Sequence, residues 1–200
     1  FVVNNKLVVQ CEIEEIDDLT NFTLSETLQS LPNNQIVDDY RHLLEDGRFS
    51  DVTLQVVGGK KLAVHKAILS ARSKVFAAMF ESDCKETQEN MVEIIDVEVE
   101  VLECMLRYIY TGSILIEELC QHAEDLLVAS EKYALDHLKL TCEKHLSSTL
   151  SIETAATTLL LADMYQATLL KAKCMDFIVQ NASKVMTTKG WKVGLTGTVS

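Results

Sequence analysis

The sequence predicts a helix-rich, mixed α/β fold, in which a short mixed sheet is flanked by helices and followed by a small helical segment. Residues 52–57 and 62–64 alternate between apolar and polar side chains, which is the period of strands with one buried face. Gly58 and Gly59 lie between them and can supply the positive φ angles of a hairpin turn. From His65 onward the apolar residues recur at helical spacing, and the sequence has only one proline and seven glycines.

Two short helices are predicted directly after the hairpin. Their apolar residues recur at helical spacing and are Ala67, Ile68, Ala71, Val75, Phe76 and Met79. Ser73 stands between the two helices, where its hydroxyl can accept an unpaired backbone N–H of the second one, so we expect Ser73 to cap that helix. The hairpin and the helical pair form a folding nucleus, and this stretch holds no catalytic constellation.

Another helix is predicted before the hairpin, over residues 36–47. One of its faces is apolar and carries Ile36, Tyr40, Leu43 and Leu44, and Gly47 is expected to end it. This face comes before any core residue in the chain, so it packs either on its own domain or on a second copy of the chain. For Leu44, a position in the core of its own domain remains the alternative.

The second half of the chain is predicted to be helical. A short apolar strand at 92–95 joins the hairpin's sheet through a helical crossover, which makes the sheet mixed. Helical periods follow at residues 97–110, 118–133, 136–146, 152–160 and 169–178. Gly112 is expected to end the first of these helices, and Asp136 and Ser151 are expected to cap later ones. The last two helices are too small to stand alone, so they should pack on the preceding ones, and the helical period is lost after Trp191.

The start of the sequence has a different pattern. Residues 1–16 alternate like strands around a possible turn at Asn4 and Asn5, whereas residues 17–35 are polar and aperiodic and are expected to be a linker. Because the sequence begins inside a strand-like run and lacks an initial Met, we expect it to be part of a longer chain. We find no secretory signal and no apolar run of membrane-spanning length.

The formal net charge of −12 is concentrated in the middle of the chain. Residues 81–150 hold sixteen Asp and Glu against five Lys and Arg, a balance of −11. Carboxylates repel phosphate, which argues against nucleic-acid binding. A solvated helical surface explains this charge, and a basic protein partner is the alternative.

Cofactor, metal and catalytic motifs are not found in the sequence. The six cysteines form no Cys-x-x-Cys pair, and three of them, Cys104, Cys142 and Cys174, fall among apolar helix positions. Reduced cysteines that act as small core residues in a reducing compartment are therefore favoured over disulfides or a metal site. His137 and His145 share a helix face, but no further ligand completes a metal geometry there. Gly58 and Gly59 are not followed by the lysine and hydroxyl of a phosphate loop. We therefore expect a non-enzymatic protein without cofactors.

Several motifs, in order, resemble the signature of a BTB/POZ domain. They are FSDV at 49–52, VHKAILSARS at 64–73, VFAAMF at 75–80, VEIIDV at 92–97, MLRYIYTG at 105–112 and ASEKYAL at 129–135. This resemblance covers roughly residues 38–146. The motifs LSIETA at 150–155, LADMY at 161–165 and KGWK at 189–192 resemble the BACK-like helices of the speckle-type POZ protein family.

The resemblance implies a domain order. The predicted segments are the C-terminal strands of a MATH-like sandwich at 1–16, a linker at 17–35, a BTB/POZ domain at 36–146, BACK-like helices at 147–192 and a tail at 193–200. In that family a MATH domain binds protein substrates, and most of such a domain lies outside this sequence.

The resemblance also implies a function. Proteins of this kind are substrate-adaptor subunits of cullin-RING E3 ubiquitin ligases. They homodimerise and bind the cullin through the BTB domain, and they promote ubiquitination and proteasomal degradation of the proteins that they hold. The expected location is intracellular, in the nucleus, the cytoplasm or both. The alternative is a non-enzymatic, homo-oligomeric BTB scaffold in transcriptional regulation.

Site residues are implied by position in the family pattern. The dimer interface is expected at Ile36, Tyr40, Leu43 and Ile68. Cullin binding is expected at Phe80, Cys84, Glu86 and Tyr110. In cullin-binding members the loop after Phe80 carries an apolar residue, any residue and then Glu, which Cys84, Lys85 and Glu86 match here, although Cys84 is smaller than the usual Met. The family carries His65, alongside Asp51, as a structural residue.

Overall fold

A computed structural model of the chain describes residues 2–3, 6–7, 35–81 and 90–196. The chain divides into two compact units, Phe1–Gln35 and Ile36–Ser200. In the first unit, β1 (Val2–Val3) and β2 (Lys6–Leu7) pair antiparallel, which confirms the predicted hairpin. The rest of the predicted sandwich segment and nearly all of the predicted linker lie outside the described residues.

The second unit is built on a three-stranded sheet of the described residues. Its strands are β3 (Val52–Val56), β4 (Lys61–Val64) and β5 (Met91–Ile94), in the order β4-β3-β5. β3 pairs antiparallel with β4 and parallel with β5, as the predicted crossover requires. Gly58 and Gly59 have φ angles of +101° and +86° in the connecting turn, which only glycine adopts without strain. The mixed sheet is therefore confirmed.

Three helices flank the hairpin in sequence: α1 (Gln35–Asp46), α2 (Lys66–Arg72) and α3 (Lys74–Glu81). Gly47 follows α1 with a φ angle of +59°, as expected of a residue that ends a helix. The hydroxyl oxygen of Ser73 accepts the backbone N–H of Phe76 at 3.1 Å, so the predicted cap is confirmed. The same hydroxyl donates to the carbonyl oxygen of Tyr133 at 2.6 Å and so ties α3 to a distant part of the chain.

The next three helices are α4 (Val99–Thr111), α5 (Ile116–Lys132) and α6 (Asp136–Ser148). Gly112 ends α4 with a φ angle of +73°, as predicted. The prediction that Asp136 caps α6 is wrong, because the cap residue is Leu135 and Asp136 is the first residue of the helix. Its carboxylate still lies in the first turn, where the helix dipole favours a negative charge.

The chain ends in α7 (Ala155–Met164), α8 (Thr168–Gln180), the short α9 (Ala182–Val185) and α10 (Lys189–Thr196). Ser151 caps the turn before α7, because its hydroxyl accepts the N–H of Thr154 while the Thr154 hydroxyl accepts the N–H of Ser151. The predicted loss of helical period after Trp191 is wrong. Trp191 packs against an apolar cluster that includes Ala155 and Ala156, and this tertiary contact stabilises helix where the sequence pattern is weak.

One apolar core joins the sheet to the later helices. Leu54 of the sheet, Leu106 of α4 and Leu126 of α5 are fully or almost fully buried in it. Leu170 and Cys174 of α8 belong to the same cluster, which confirms that the last helices pack on the preceding ones. None of the helices in the described part of the chain is both long and apolar enough to cross a membrane.

Candidate protein-interaction surfaces

Helix α1 presents an apolar row on the surface. Ile36, Tyr40 and Leu43 are spaced by four and three residues and therefore lie on one face. Ile36 is 67% exposed and Tyr40 is 41% exposed, whereas Leu43 is half-buried. Within the part of the chain that the structure describes, no residue of α1 is buried. Leu44 packs partly against the core, which agrees with the alternative that this residue belongs to the core of its own domain.

A groove runs beside this row. Tyr40 of α1, Ile68 and Ala71 of α2, and Tyr110 and Gly112 at the end of α4 line it. Two of the predicted dimer residues, Tyr40 and Ile68, are thus brought to one place. Ile68 itself is half-buried, with part of its side chain against the core.

Tyr110 lies almost entirely inside the protein, where it holds His65. Its hydroxyl oxygen accepts the backbone N–H of His65 at 3.0 Å and lies 2.7 Å from Nδ1 of the same residue. Nε2 of His65 lies 2.7 Å from the carbonyl oxygen of Arg48. Because a carbonyl oxygen only accepts, Nε2 carries a proton in this geometry, and in the neutral ring Nδ1 then accepts the proton of the phenol.

Burial raises the pKa of Tyr110 to about 12, although the hydrogen bond from the His65 backbone acts in the opposite direction. The phenol is therefore neutral at physiological pH, which suits a hydroxyl that both donates and accepts. His65 is thus a structural residue with both ring nitrogens engaged. The placement of Tyr110 in the cullin-binding set stays a prediction, and its observed contacts are those of a residue that organises the fold.

Phe80, at the end of α3, is the more exposed of the two described members of the predicted cullin-binding set. Its half-buried ring stacks with the ring of Phe76, at 6.1 Å between centroids. The ammonium group of Lys66 lies 5.7 Å from the centre of the Phe80 ring. Cys84 and Glu86 lie outside the described residues.

A second exposed aromatic residue, just before β3, was not predicted as a site residue. Phe49 is 85% exposed and has a φ angle of +61°. The Arg48 guanidinium lies 5.8 Å from the centre of the Phe49 ring. The FSDV motif contains Phe49, but a sequence motif does not reveal that the ring points to solvent or that the backbone is left-handed.

Three cysteine thiols are buried in the core of the protein. Cys104, Cys142 and Cys174 are buried free thiols, as predicted. Burial raises the pKa of Cys142 to about 12 and that of Cys174 to about 11, so both are unreactive thiols at physiological pH. Among the described residues, no three His, Cys, Asp or Glu side chains are close enough to hold a metal ion.

A buried carboxylate was missed by the sequence reasoning. Glu143 of α6 is only 6% exposed, and its Oε2 accepts the backbone N–H of Leu170 at 2.9 Å, in the first turn of α8. Lys139, also on α6, donates to the carbonyl oxygen of Gln166 at 3.2 Å. These contacts join α6 to the start of α8. A glutamate in the middle of a helical pattern resembles a surface residue, so the sequence offered no signal for this role.

Two family models match the BTB-like part and the last helices of this chain in succession. The family model of the BTB/POZ domain matches residues 40–150, and the model described as the BPM/SPOP, BACK domain matches residues 154–193. One similar solved structure is the BTB domain of zebrafish PATZ1, with 21% sequence identity and a TM-score of 0.49. That match covers 65% of this chain and 99% of the PATZ1 chain. Because the BTB/POZ model alone matches more than half of the 200 residues, this chain belongs to the BTB/POZ family, with a BACK domain of the BPM/SPOP type behind its BTB domain.

Proposed function

We propose that this chain is a substrate-adaptor subunit of a cullin-RING E3 ubiquitin ligase. It homodimerises and binds the cullin through its BTB domain, and a MATH domain outside this sequence holds the protein to be ubiquitinated and degraded by the proteasome. The expected location is the nucleus, the cytoplasm or both. The chain supplies proximity, because it raises the effective concentration of a substrate lysine near a charged ubiquitin-conjugating enzyme.

The observation that carries this proposal is the succession of the two domains. BTB and BACK domains are typically non-catalytic scaffold or adaptor domains, and the BACK match here is of the BPM/SPOP type. The two are packed around one core, since Leu170 and Cys174 of the BACK region share a cluster with the BTB sheet. A continuous core favours an adaptor whose parts are held in a fixed relation.

The dimer interface of this proposal is the apolar row of α1 together with Ile68. Ile36 is exposed and Tyr40 is partly exposed, and none of the described residues of their helix is buried. Apolar surface of α1 therefore faces water in the single chain. Full burial of one such side chain stabilises by about 1.5–3 kcal/mol. A second copy that lays its own α1 on this face and fills the groove beside Tyr40 and Ile68 would remove that surface from water.

The cullin-binding surface of this proposal begins at Phe80 and continues into the loop with Cys84 and Glu86. An apolar residue at position 84 would fill a pocket on the cullin, and Glu86 would fix the loop. Cys84 is smaller than the Met that usually occupies this position, so the pocket would be filled incompletely. A larger apolar side chain at position 84 should therefore increase affinity.

Isothermal titration calorimetry with a cullin amino-terminal domain tests the proposal. Cys84→Met should tighten binding several-fold, because the added apolar volume is worth about 1 kcal/mol at about 0.8 kcal/mol per buried CH₂ and a tenfold change is about 1.4 kcal/mol. Glu86→Ala should weaken binding. Lys85→Ala, at the position that tolerates any residue, is the matched control and should bind like the wild type.

Two outcomes would contradict parts of this account. Equal affinities for the wild type, Cys84→Met and Glu86→Ala would show that the loop is not the contact. Failure of all of them to bind would leave the homo-oligomeric scaffold in transcriptional regulation as the better function.

A further inference from the structure

Phe49 combines an exposed ring with a left-handed backbone. Among the described residues, the non-glycine residues with positive φ angles are Phe49, Asn90, Ala134 and Gln166. Asparagine tolerates this conformation readily. Phe49 is the bulkiest of the four and is 85% exposed.

Ala134 and Gln166 have an ordinary structural reason for their conformation. Each follows the C-terminal end of a helix, and the next residue donates its N–H to a carbonyl oxygen five residues back, as in a Schellman motif. The two hydrogen bonds, from Leu135 to Ser130 and from Ala167 to Ala162, are both 2.8 Å long. Such helix ends account for the left-handed residues there, whereas Phe49 is not at a helix end.

Phe49 occupies the third position of a four-residue turn. The turn is closed by the hydrogen bond from the N–H of Ser50 to the carbonyl oxygen of Gly47, at 3.3 Å. A turn with positive φ at its third position favours Gly or Asn there, because a side chain is strained in this conformation. A phenylalanine at this position is therefore strained, and its exposed ring returns little stability to the fold.

The turn is held firmly on both sides of Phe49. The carbonyl oxygen of Arg48 bonds to Nε2 of His65, and Asp51 accepts the backbone N–H of Lys66 at 2.7 Å. Lys66 in turn contacts the ring of Phe80. Arg48 before Phe49 and Asp51 after it thus tie this turn to His65 and Lys66, and Lys66 reaches the surface that carries Phe80. The Phe49 ring is therefore presented on a rigid support.

We infer that Phe49 is an aromatic anchor for the cullin, in addition to Phe80 and the loop that follows it. The inference rests on the proposed function, because the partner is the same cullin amino-terminal domain. An aromatic side chain on a pre-organised support loses little conformational freedom on binding, which is typical of the residues that dominate an interface. The ring fills an apolar pocket of the cullin, and the strained turn is what directs it outward.

Phe49→Gly has two effects that different measurements report. Glycine relieves the backbone strain, which the melting temperature reports, and it removes the aromatic ring, which the affinity for the cullin reports. We expect this variant to melt at or above the wild-type temperature, to keep the wild-type mass in light scattering, and to bind the cullin amino-terminal domain about tenfold more weakly. Phe49→Tyr retains a ring and should bind within about threefold of the wild type. Val57→Ala is the matched control, because Val57 is an exposed apolar residue directly after the opposite end of β3 and should leave the affinity unchanged.

The remaining outcomes would overturn the inference. If Phe49→Gly binds like the wild type, Phe49 is not an anchor and the adaptor function stands. If Phe49→Gly melts well below the wild type, the ring supports the fold instead, and if it becomes smaller in mass, the ring contacts a second copy. If the wild type itself does not bind, both the inference and the proposed function fail.

Discussion

At the scale of single residues, His65 and Tyr110 show how the start of the BTB core is organised. His65 is the residue between β4 and α2, and it is 8% exposed. Its backbone N–H and one ring nitrogen face the Tyr110 hydroxyl, and its other ring nitrogen faces the Arg48 carbonyl. One phenol therefore satisfies two polar groups of a buried residue, and its loss would leave both without that partner.

Tyr110→Phe should lower the free energy of unfolding by about 1–3 kcal/mol, which is the usual cost of an unpaired buried polar group. Urea denaturation followed by circular dichroism measures the change. The control is Tyr108→Phe on the same helix, because no hydrogen bond of the Tyr108 hydroxyl is found among the described residues and its removal should cost much less. Equal losses for both variants would show that the Tyr110 hydroxyl has no special role.

At the scale of elements, Glu143 links the last BTB helix to the BACK helices. Its buried carboxylate accepts the N–H of Leu170, which is one of the N–H groups of the first turn of α8 that have no partner within the helix. A negative charge at this end also interacts favourably with the helix dipole. Glu143 is thus a cap supplied from a neighbouring helix, and it fixes where α8 begins against α6.

Glu143→Ala should destabilise the BACK helices by about 1–2 kcal/mol, the usual cost of a lost cap. Hydrogen exchange at the amides of α8 should speed up, whereas the amides of β3 should exchange as in the wild type. Glu143→Gln keeps an acceptor oxygen of nearly the same shape and should retain most of the protection. If α8 in Glu143→Ala exchanges like the wild type, the carboxylate does not fix this helix.

The apolar row of α1 belongs to the same scale, because it is a property of a helix face. Replacing Ile36 and Tyr40 together by Glu puts two charges on the proposed dimer face, where burial of unpaired charge is costly. Both side chains are exposed in the single chain, so the fold should be preserved. Light scattering should report a dimer for the wild type and a monomer for the double variant at micromolar concentration.

Met164→Glu is the control for this experiment, because Met164 is 73% exposed on α7, outside the α1 row. It should leave the dimer intact. A wild type that is already monomeric would contradict the dimer proposal, as would a double variant that keeps the dimer mass.

At the scale of the whole molecule, the sequence predicted the architecture well. Periodicity and glycine positions are local properties, and the mixed sheet, the Ser73 cap and the ends of α1 and α4 follow from them. The helix after Trp191 was missed because it depends on a tertiary contact with α7. The cap position of Asp136 was misplaced by one residue, since helix ends are the least certain part of a pattern.

The interaction surfaces were less accessible to sequence reasoning. Family position could name Ile36 and Tyr40, and the structure adds that they are exposed on a helix without a buried residue among those described. The roles of Glu143 and Phe49 depend on a long-range hydrogen bond and on a backbone angle, which no local pattern encodes. Tyr110 is a further example, because its partner His65 is 45 residues away in the sequence.

The proposed function makes this chain a dimeric adaptor that binds a cullin. The most direct test is the mass, by size-exclusion chromatography with light scattering, of this chain mixed with excess cullin amino-terminal domain. We expect one complex with the mass of two copies of the chain and two cullin domains, because each BTB domain would carry its own proposed cullin surface. Elution of the chain at the same mass with and without the cullin domain would contradict it.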